Sequence, residues 1–220
     1  MKSLSVLFLI AGALLAADSH AANSKIGILV FDGVLTSDVT APAEVFGAAT
    51  KKAWFSSYEV VTIAASNNKA IKTEEGLKMV ADYTIGDPIQ LDVLIVPSSY
   101  KMTPLEQNKE LIAFIKKQGS KVKWLASNCS GALLLAQAGL LDGKKATTWY
   151  GGEKELASSY PKVNVQYDQN VVIDGNLITS NGGAVSYQAS LALLAKMTSP
   201  KFAQEISDAI QLPRLTKSNP

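Results

Sequence analysis

The chain has 220 residues, of which 47% are hydrophobic and 18% are charged, and its formal net charge is +2 at pH 7. This composition provides for one substantial hydrophobic core and excludes a disordered chain. Arg214 is the only arginine among 21 basic residues, so we expect no nucleic-acid partner and expect small molecules as substrates or ligands.

Residues 1–21 have the pattern of a secretory signal peptide. Lys2 supplies a positive charge, residues 4–17 form an apolar run too short for a stable membrane span, and Ser19-His20-Ala21 is a cleavage site of small residues. We therefore expect an exported protein, periplasmic or secreted, that starts near Ala22 and has no membrane partner after cleavage. The alternative is an uncleaved anchor helix.

The remaining chain, residues 22–220, is expected to form a single domain, since no repeat or linker divides it. The only histidine, His20, leaves with the signal peptide, so a Cys–His pair is not expected. Without histidine, and with one cysteine, we expect no metal site. No glycine-rich loop has the spacing of a nucleotide-binding motif, so no cofactor is expected either.

The first predicted strand is the apolar run at residues 25–31. Thr40 as a cap and Pro42 in the first turn predict the start of the following helix. Asp38 is then expected in the loop over the carboxyl edge of the first strand, where open α/β sheets hold their functional groups. The alternative for Asp38 is a solvated acid beside a helix start.

Strands and helices alternate along the rest of the chain, with connections long enough for crossovers. This order predicts an α/β fold, a three-layer α/β/α sandwich with a mostly parallel sheet. The further predicted strands are residues 58–65, 91–97, 122–128 and 163–166, and residues 145–149 are a short strand or the end of one. Residues 70–83 are a hairpin or short edge strands, and residues 171–179 are a hairpin. The predicted helices are residues 104–118, 131–138, 153–160, 184–197 and 201–210.

The only cysteine lies on a very short turn between a predicted strand and a predicted helix. Small residues flank Cys129, with Asn128 before it and Ser130-Gly131 after it, which is a variant of the nucleophile-elbow pattern. The first amides of the helix are expected to favour a Cys129 thiolate and to stabilise an oxyanion. The alternative is an inert, buried cysteine.

Four groups of motifs carry a specific resemblance to a known family. They are Phe31-Asp32-Gly33-Val34 with residues 38–46, residues 92–97, Cys129-Ser130-Gly131-Ala132 with residues 138–148, and residues 174–180. Together they resemble the ThiJ/PfpI superfamily, whose fold is flavodoxin-like and similar to that of class I glutamine amidotransferases. The nearest branch holds isonitrile hydratase and the amidotransferase-like domains of certain transcriptional regulators.

The resemblance implies that Cys129 is the nucleophile and that Asp38 is the acid paired with it. A desolvated carboxyl beside a thiol shares a proton with it and later delivers that proton to an adduct. An Asp38→Asn variant is expected to raise the thiol pKa if the carboxylate acts only as a proton acceptor. The resemblance also implies a homodimer.

Three positions depart from the family pattern. Trp149 stands where the branch usually carries histidine, Ser98-Ser99 replaces a Gly-Gly pair after Pro97, and Gln188 stands where an acidic residue is frequent. Trp149 is either a lid over the substrate or a core aromatic, and the serines are either donors to the substrate or ordinary turn residues. The candidate substrate-binding or oxyanion-binding residues are Ser98, Ser99, Ser130, Trp149, Asn181 and Gly182.

The expected function is cysteine-dependent hydration or hydrolysis of a small carbon–nitrogen or carbonyl compound, similar to isonitrile hydratase. One alternative is a ligand-binding protein that keeps the fold without turnover. Another is a redox or stress sensor in which Cys129 is oxidised reversibly, as an accessible thiol of low pKa would be.

Overall fold

The computed structural model describes residues 23–53 and 57–216. The expected signal peptide, residues 1–21, lies outside these ranges. No helix within the described part of the chain is long and apolar enough to cross a membrane.

The centre of the structure is a sheet of seven strands, built from apolar runs that are covered on both faces. Seven of the eleven strands in the described residues form this sheet, whereas β3 pairs with β4 and β8 pairs with β9 in two small separate sheets. The strands, in chain order, are β1 (Ser24–Val30), β2 (Tyr58–Ala64), β3 (Ala70–Lys72), β4 (Lys78–Val80), β5 (Tyr83–Thr84), β6 (Val93–Val96), β7 (Trp124–Asn128), β8 (Lys145–Ala146), β9 (Asn164–Val165), β10 (Val171–Asp174) and β11 (Leu177–Ser180).

The sheet order is β10-β11-β7-β6-β1-β2-β5. Each neighbouring pair is parallel except β10 with β11, which form an antiparallel hairpin at one margin. Strand β1 lies between β6 and β2 and is buried from Ile26 to Val30, as expected of an interior parallel strand. The prediction of an α/β fold with a mostly parallel sheet flanked by helices is confirmed.

The helices cover the faces of this sheet. They are α1 (Thr36–Lys52), α2 (Thr103–Glu106), α3 (Lys109–Gly119), α4 (Gly131–Gln137), α5 (Glu153–Ser159), α6 (Val185–Met197) and α7 (Pro200–Ala209), followed by a 3-10 helix over Leu212–Thr216. Helices α1, α6 and α7 pack together, which brings the start of α6 beside the start of α1.

Two helix predictions were wrong in their boundaries. The helix expected over residues 104–118 is divided into α2 and α3, because the Asn108 side chain accepts hydrogen bonds from the Glu110 and Leu111 amides and caps a new helix. Helix α1 begins at Thr36 and not near Thr40, whose hydroxyl instead donates to the Thr36 carbonyl. Asp38 therefore lies in the first turn of α1 and not in a loop.

Candidate active site

Cys129 occupies a strained turn between β7 and α4. Its φ is +51°, a left-handed conformation that costs a residue with a side chain about 1–3 kcal/mol. Tertiary hydrogen bonds hold it there: the Cys129 amide donates to the Ser180 carbonyl at 2.9 Å, and the Cys129 carbonyl accepts from Thr148 Oγ1 at 3.0 Å. The side chain is partly exposed, as a nucleophile must be.

Two glycines allow neighbouring segments to reach this turn. A β-carbon on Gly131 would lie 2.2 Å from the Val96 carbonyl oxygen, so only glycine lets α4 start against the end of β6. A β-carbon on Gly182, whose φ is +75°, would lie 2.3 Å from Cys129 Cβ. The predicted binding residue Gly182 therefore provides space beside the cysteine.

Asp38 is fully buried, and each of its carboxyl oxygens accepts one amide and one hydroxyl hydrogen bond. Oδ2 accepts from the Ser98 amide at 3.1 Å and from Ser98 Oγ at 2.5 Å. Oδ1 accepts from the Gly183 amide at 2.9 Å and from Ser186 Oγ at 2.9 Å. These four donors occupy the acceptor positions of a carboxylate.

The backbone of Asp38 is also linked to the elbow. Pro42 has no amide hydrogen, so it cannot donate the helical hydrogen bond that the Asp38 carbonyl would otherwise accept. That carbonyl accepts from Asn128 Nδ2 at 3.3 Å instead, and Asn128 Oδ1 accepts from Ser180 Oγ at 2.8 Å. A proline inside α1 thus frees an acceptor for the residue that precedes Cys129.

The electrostatics of the Cys129 thiol differ from the expectation. Burial raises the pKa of Cys129, and the negative charge of Asp38 raises it further, whereas the Ser98 hydroxyl and the amide and hydroxyl of Ser130 lower it. The balance is a raised pKa, so the expected thiolate at the helix start is wrong. The loss of hydration is the largest of these effects, so the hydrogen bonds that favour a thiolate are outweighed.

The pKa of Asp38 is also raised, chiefly by burial, although its four hydrogen bonds act in the opposite direction. The thiol exerts no charge on Asp38 because it is still protonated and neutral when the carboxyl titrates. The negative charge of Asp38 therefore raises the pKa of Cys129 because the carboxyl is already ionised at the higher pH where the thiol ionises. The expected sign for an Asp38→Asn variant is reversed accordingly.

The three predicted serines lie around Cys129 in different roles. Ser98 is fully buried and hydrogen-bonds Asp38. Ser130 acts on the thiol through its amide and its hydroxyl, and that hydroxyl also donates to the Ser99 carbonyl at 3.1 Å. The Ser99 hydroxyl accepts from the Lys101 amide at 3.1 Å, which is a turn interaction.

Trp149 and Asn181 lie in the shell beyond these residues. The Trp149 indole packs on its own turn, where a β-carbon on Gly152 would lie 2.0 Å from the ring, and it contacts the hydrophobic core. Asn181 Nδ2 donates to the Thr148 carbonyl at 2.6 Å and so braces the residue that holds the Cys129 carbonyl. A substrate-binding role for either residue stays a prediction.

Gly183 and Ser186 were not among the predicted site residues. The turn at residues 180–183 has the glycines and helix start typical of an anion site, and the Gly183 amide does bind an anion, namely the Asp38 carboxylate of the same chain. No sequence signal marks Ser186, because one serine in a helix has no special spacing. Within the described ranges no cluster of three histidine, cysteine, aspartate or glutamate side chains is placed to hold a metal ion.

The family of the chain follows from comparison with known proteins. The model of the DJ-1/PfpI family matches residues 24–196, which include every residue of the site described above. The chain belongs to the DJ-1/PfpI family. The resemblance to the ThiJ/PfpI superfamily is thereby confirmed.

Individual DJ-1/PfpI relatives are moderately similar. Isonitrile hydratase of Pseudomonas putida is 29% identical over 180 residues, which are 82% of this chain and 75% of the hydratase. The HTH-type transcriptional regulator CdhR of Pseudomonas aeruginosa is 29% identical over 155 residues, which are 70% of this chain and 43% of the regulator. A crystal structure of a ThiJ/PfpI family protein from Pseudomonas syringae superimposes with a TM-score of 0.76 over 97% of this chain and 84% of that one, at 24% identity.

Proposed function

We propose that this DJ-1/PfpI protein is a cysteine-dependent hydratase or hydrolase of a small compound with an electrophilic carbon, with isonitriles as the leading substrate class. The observation that carries this proposal is the Cys129 elbow itself: a partly exposed thiol at φ +51°, with a buried acid acting on it. Backbone strain at a nucleophile persists only where the surroundings enforce it. The similarity to isonitrile hydratase over 82% of the chain supports the substrate class.

The chemistry assigns separate tasks to the residues. Cys129 Sγ adds to the isonitrile carbon, the S–H bond breaks and the thiol proton ends on the same carbon, which gives a thioimidate. Water then adds to this carbon, the carbon–sulfur bond breaks, and the thiol is restored as a formamide leaves. The Ser130 amide, which favours the thiolate form of Cys129, would stabilise negative charge that develops beside the sulfur.

A ligand-binding protein without turnover is the second candidate. The observation that favours it is the raised pKa of Cys129, since a thiol that stays protonated near neutral pH is a weak nucleophile. The same observation weighs against the redox sensor, which depends on a thiol of low pKa.

The test of turnover is a comparison of the wild type with Cys129→Ser. We expect the wild type to convert isonitriles to formamides, and we expect the variant to lose at least about a thousandfold in kcat/KM. Amides and α-oxoaldehydes belong in the same screen, and Cys129→Ala serves as a control for ligand binding without a nucleophile. Ligand binding by the wild type with no product from any of these compounds would favour the second candidate.

We also propose that the protein is exported after removal of residues 1–21, because their sequence pattern is that of a signal peptide. Expression of the full chain in a bacterium should yield a periplasmic or secreted product whose amino-terminal residue is Ala22. Amino-terminal sequencing of the fractionated protein measures this. A cytoplasmic product that retains Met1 would contradict export.

We propose, finally, that the protein acts as a homodimer, as the resemblance to its family implies. Light scattering coupled to gel filtration measures the mass in solution, and a monomeric mass at working concentrations would contradict this.

A further inference from the structure

We propose that Glu75, in the turn between β3 and β4, is a positioning residue for the candidate active site: its carboxylate caps helix α1 and so holds Asp38 beside Cys129. Glu75 is not among the site residues predicted from the sequence. The inference rests on the proposed pairing of Asp38 with Cys129, but it does not depend on the substrate.

Helix α1 has no cap of its own. Leu35 stands at the N-cap position, where a serine, threonine, aspartate or asparagine side chain normally accepts from the first free amides, and its apolar side chain accepts nothing. The Thr36 amide donates instead to Glu75 Oε2 at 3.0 Å, and Thr36 Oγ1 donates to the same oxygen at 2.5 Å. A carboxylate 39 positions along the chain therefore supplies the cap.

The type of group suits this position. The first amides of a helix carry partial positive charge, which a carboxylate stabilises better than a neutral acceptor does. The hydrogen bonds from Thr36 lower the pKa of Glu75, so the side chain is charged at neutral pH. Thr36 Oγ1 also lies 2.8 Å from the hydroxyl of Thr73, a buried residue at the base of the same turn.

Backbone hydrogen bonds hold this turn against the loop that precedes α1. The Glu74 amide donates to the Val34 carbonyl at 3.0 Å. On its other side the loop reaches the site, since the Leu35 amide donates to the Ser98 carbonyl at 3.0 Å and the Ser98 amide in turn donates to Asp38. The loop is thus held between the hairpin and a segment that binds the buried acid.

The helix start that Glu75 caps also carries the acid. Asp38 lies in the first turn of α1, and its carbonyl accepts from Asn128, the residue before Cys129. A helix that loses its cap frays first in this turn, because its free amides then turn to water. The charge of Asp38 would be held less closely beside the sulfur, and water would reach the thiol.

These changes have a definite sign for the thiol. Burial and the charge of Asp38 are the two causes that raise the pKa of Cys129, while hydrogen bonds from Ser98 and Ser130 lower it. Asp38 is the charged group that acts on the sulfur. Loosening the first turn of α1 weakens both of the causes that raise the pKa, so loss of Glu75 should lower it.

The experiment is alkylation of Cys129 in the purified protein with iodoacetamide across pH, followed by intact mass. We expect Glu75→Ala to lower the midpoint of the profile by about half a pH unit, which speeds alkylation near neutral pH about threefold. Glu75→Gln keeps an oxygen that accepts from Thr36 and should return the midpoint at least halfway to the wild-type value. Thermal melting confirms that each variant is folded. Thr36→Val removes one of the two donors to Glu75 and should shift the midpoint in the same direction, which provides the test if Glu75→Ala does not fold.

The same substitution in an Asp38→Asn background separates positioning from general support of the fold. Glu75→Ala should shift the midpoint there less than half as far as in the wild type, because the charge that it positions is already gone. A general loss of packing around the cysteine would instead shift both midpoints equally.

Asp87→Ala is the matched control. Asp87 Oδ2 also accepts from the amide and the hydroxyl of one threonine, Thr84, at 2.7 and 3.1 Å, but it follows β5 at the margin of the sheet. Its loss should leave the Cys129 midpoint unchanged.

Three outcomes would overturn the proposal. One is an unchanged or higher midpoint in Glu75→Ala or, where that variant is unfolded, in Thr36→Val. The others are equal shifts in the two backgrounds and a shift in Asp87→Ala as large as that in Glu75→Ala. Failure of every substrate in the turnover screen would leave these midpoints unaffected, so the two failures are distinguishable.

Discussion

Replacing Asp38 with asparagine is expected to lower the pKa of Cys129 and to speed alkylation of its thiol near neutral pH about tenfold, which corresponds to about 1.4 kcal/mol. The ionised carboxylate opposes a second negative charge on the sulfur, and its effect on the raised thiol pKa is second only to burial. Asparagine fills the same space without the charge. The pH profile of alkylation should then show one inflection, at lower pH than the last inflection of the wild type.

The Asp38→Asn variant should also be less stable. Each carboxyl oxygen accepts from one backbone amide, those of Ser98 and Gly183, and an amide cannot reverse its direction. The asparagine NH2 group must therefore face one of these donors, and the unsatisfied contact should cost about 1–3 kcal/mol in the free energy of unfolding by urea.

Asp32→Asn is the control for both measurements. Asp32 is an exposed acid that accepts a hydrogen bond from the Lys72 amide. The Asp32→Asn variant should leave the alkylation profile of Cys129 unchanged and should change the free energy of unfolding by no more than about 1 kcal/mol. An alkylation midpoint that stays the same or rises in Asp38→Asn would show that the carboxylate does not oppose the thiolate.

The second large effect is expected for Gly131→Ala, which should destabilise the fold by about 3 kcal/mol. The new methyl group would lie 2.2 Å from the Val96 carbonyl oxygen and 2.8 Å from that of Pro97. These are backbone atoms of a central strand and the residue after it, so α4 must move away from β6 and carry the elbow with it. Urea unfolding measures the stability, and Cys129 alkylation reports the displacement of the turn.

Gly47→Ala is the matched control in helix α1. A β-carbon on Gly47 meets nothing within 4 Å, so the only effect is the better helix propensity of alanine, which should stabilise the fold by about 0.5–1 kcal/mol. Opposite signs for the two glycine-to-alanine variants are therefore expected. Equal stability of Gly131→Ala and the wild type would mean that α4 does not start against β6.

The placement of Asp38 shows that a prediction of the start of α1 that is wrong by one helical turn changes the expected surroundings of this carboxyl group. Thr40 and Pro42 are good residues for a helix start, yet the helix begins at Thr36, because the Leu35 amide is already bound to the Ser98 carbonyl. Pro42 then stands inside the helix, and the Asp38 carbonyl is left for Asn128. A contact with a residue more than 60 positions away decided where the helix starts.

Local patterns alone determined the alternation of strands and helices, the mostly parallel sheet and the position of Cys129 at a strand-to-helix turn. These features depend on hydrophobic periodicity and on runs of small residues, and both can be recognised from residues that are close together in the sequence. The family membership followed from the same short motifs.

Only the tertiary structure decided what surrounds the sulfur. The donors that hold the Asp38 carboxylate come from Ser98, Gly183 and Ser186, which are separated from it by 60, 145 and 148 positions. Burial depends on every neighbour at once, so the sequence suggested a thiolate where desolvation and a nearby charge raise the pKa of the thiol. Which atoms meet at the sheet edge, and how much water they exclude, is set by the order of the strands and the packing of α6 on α1.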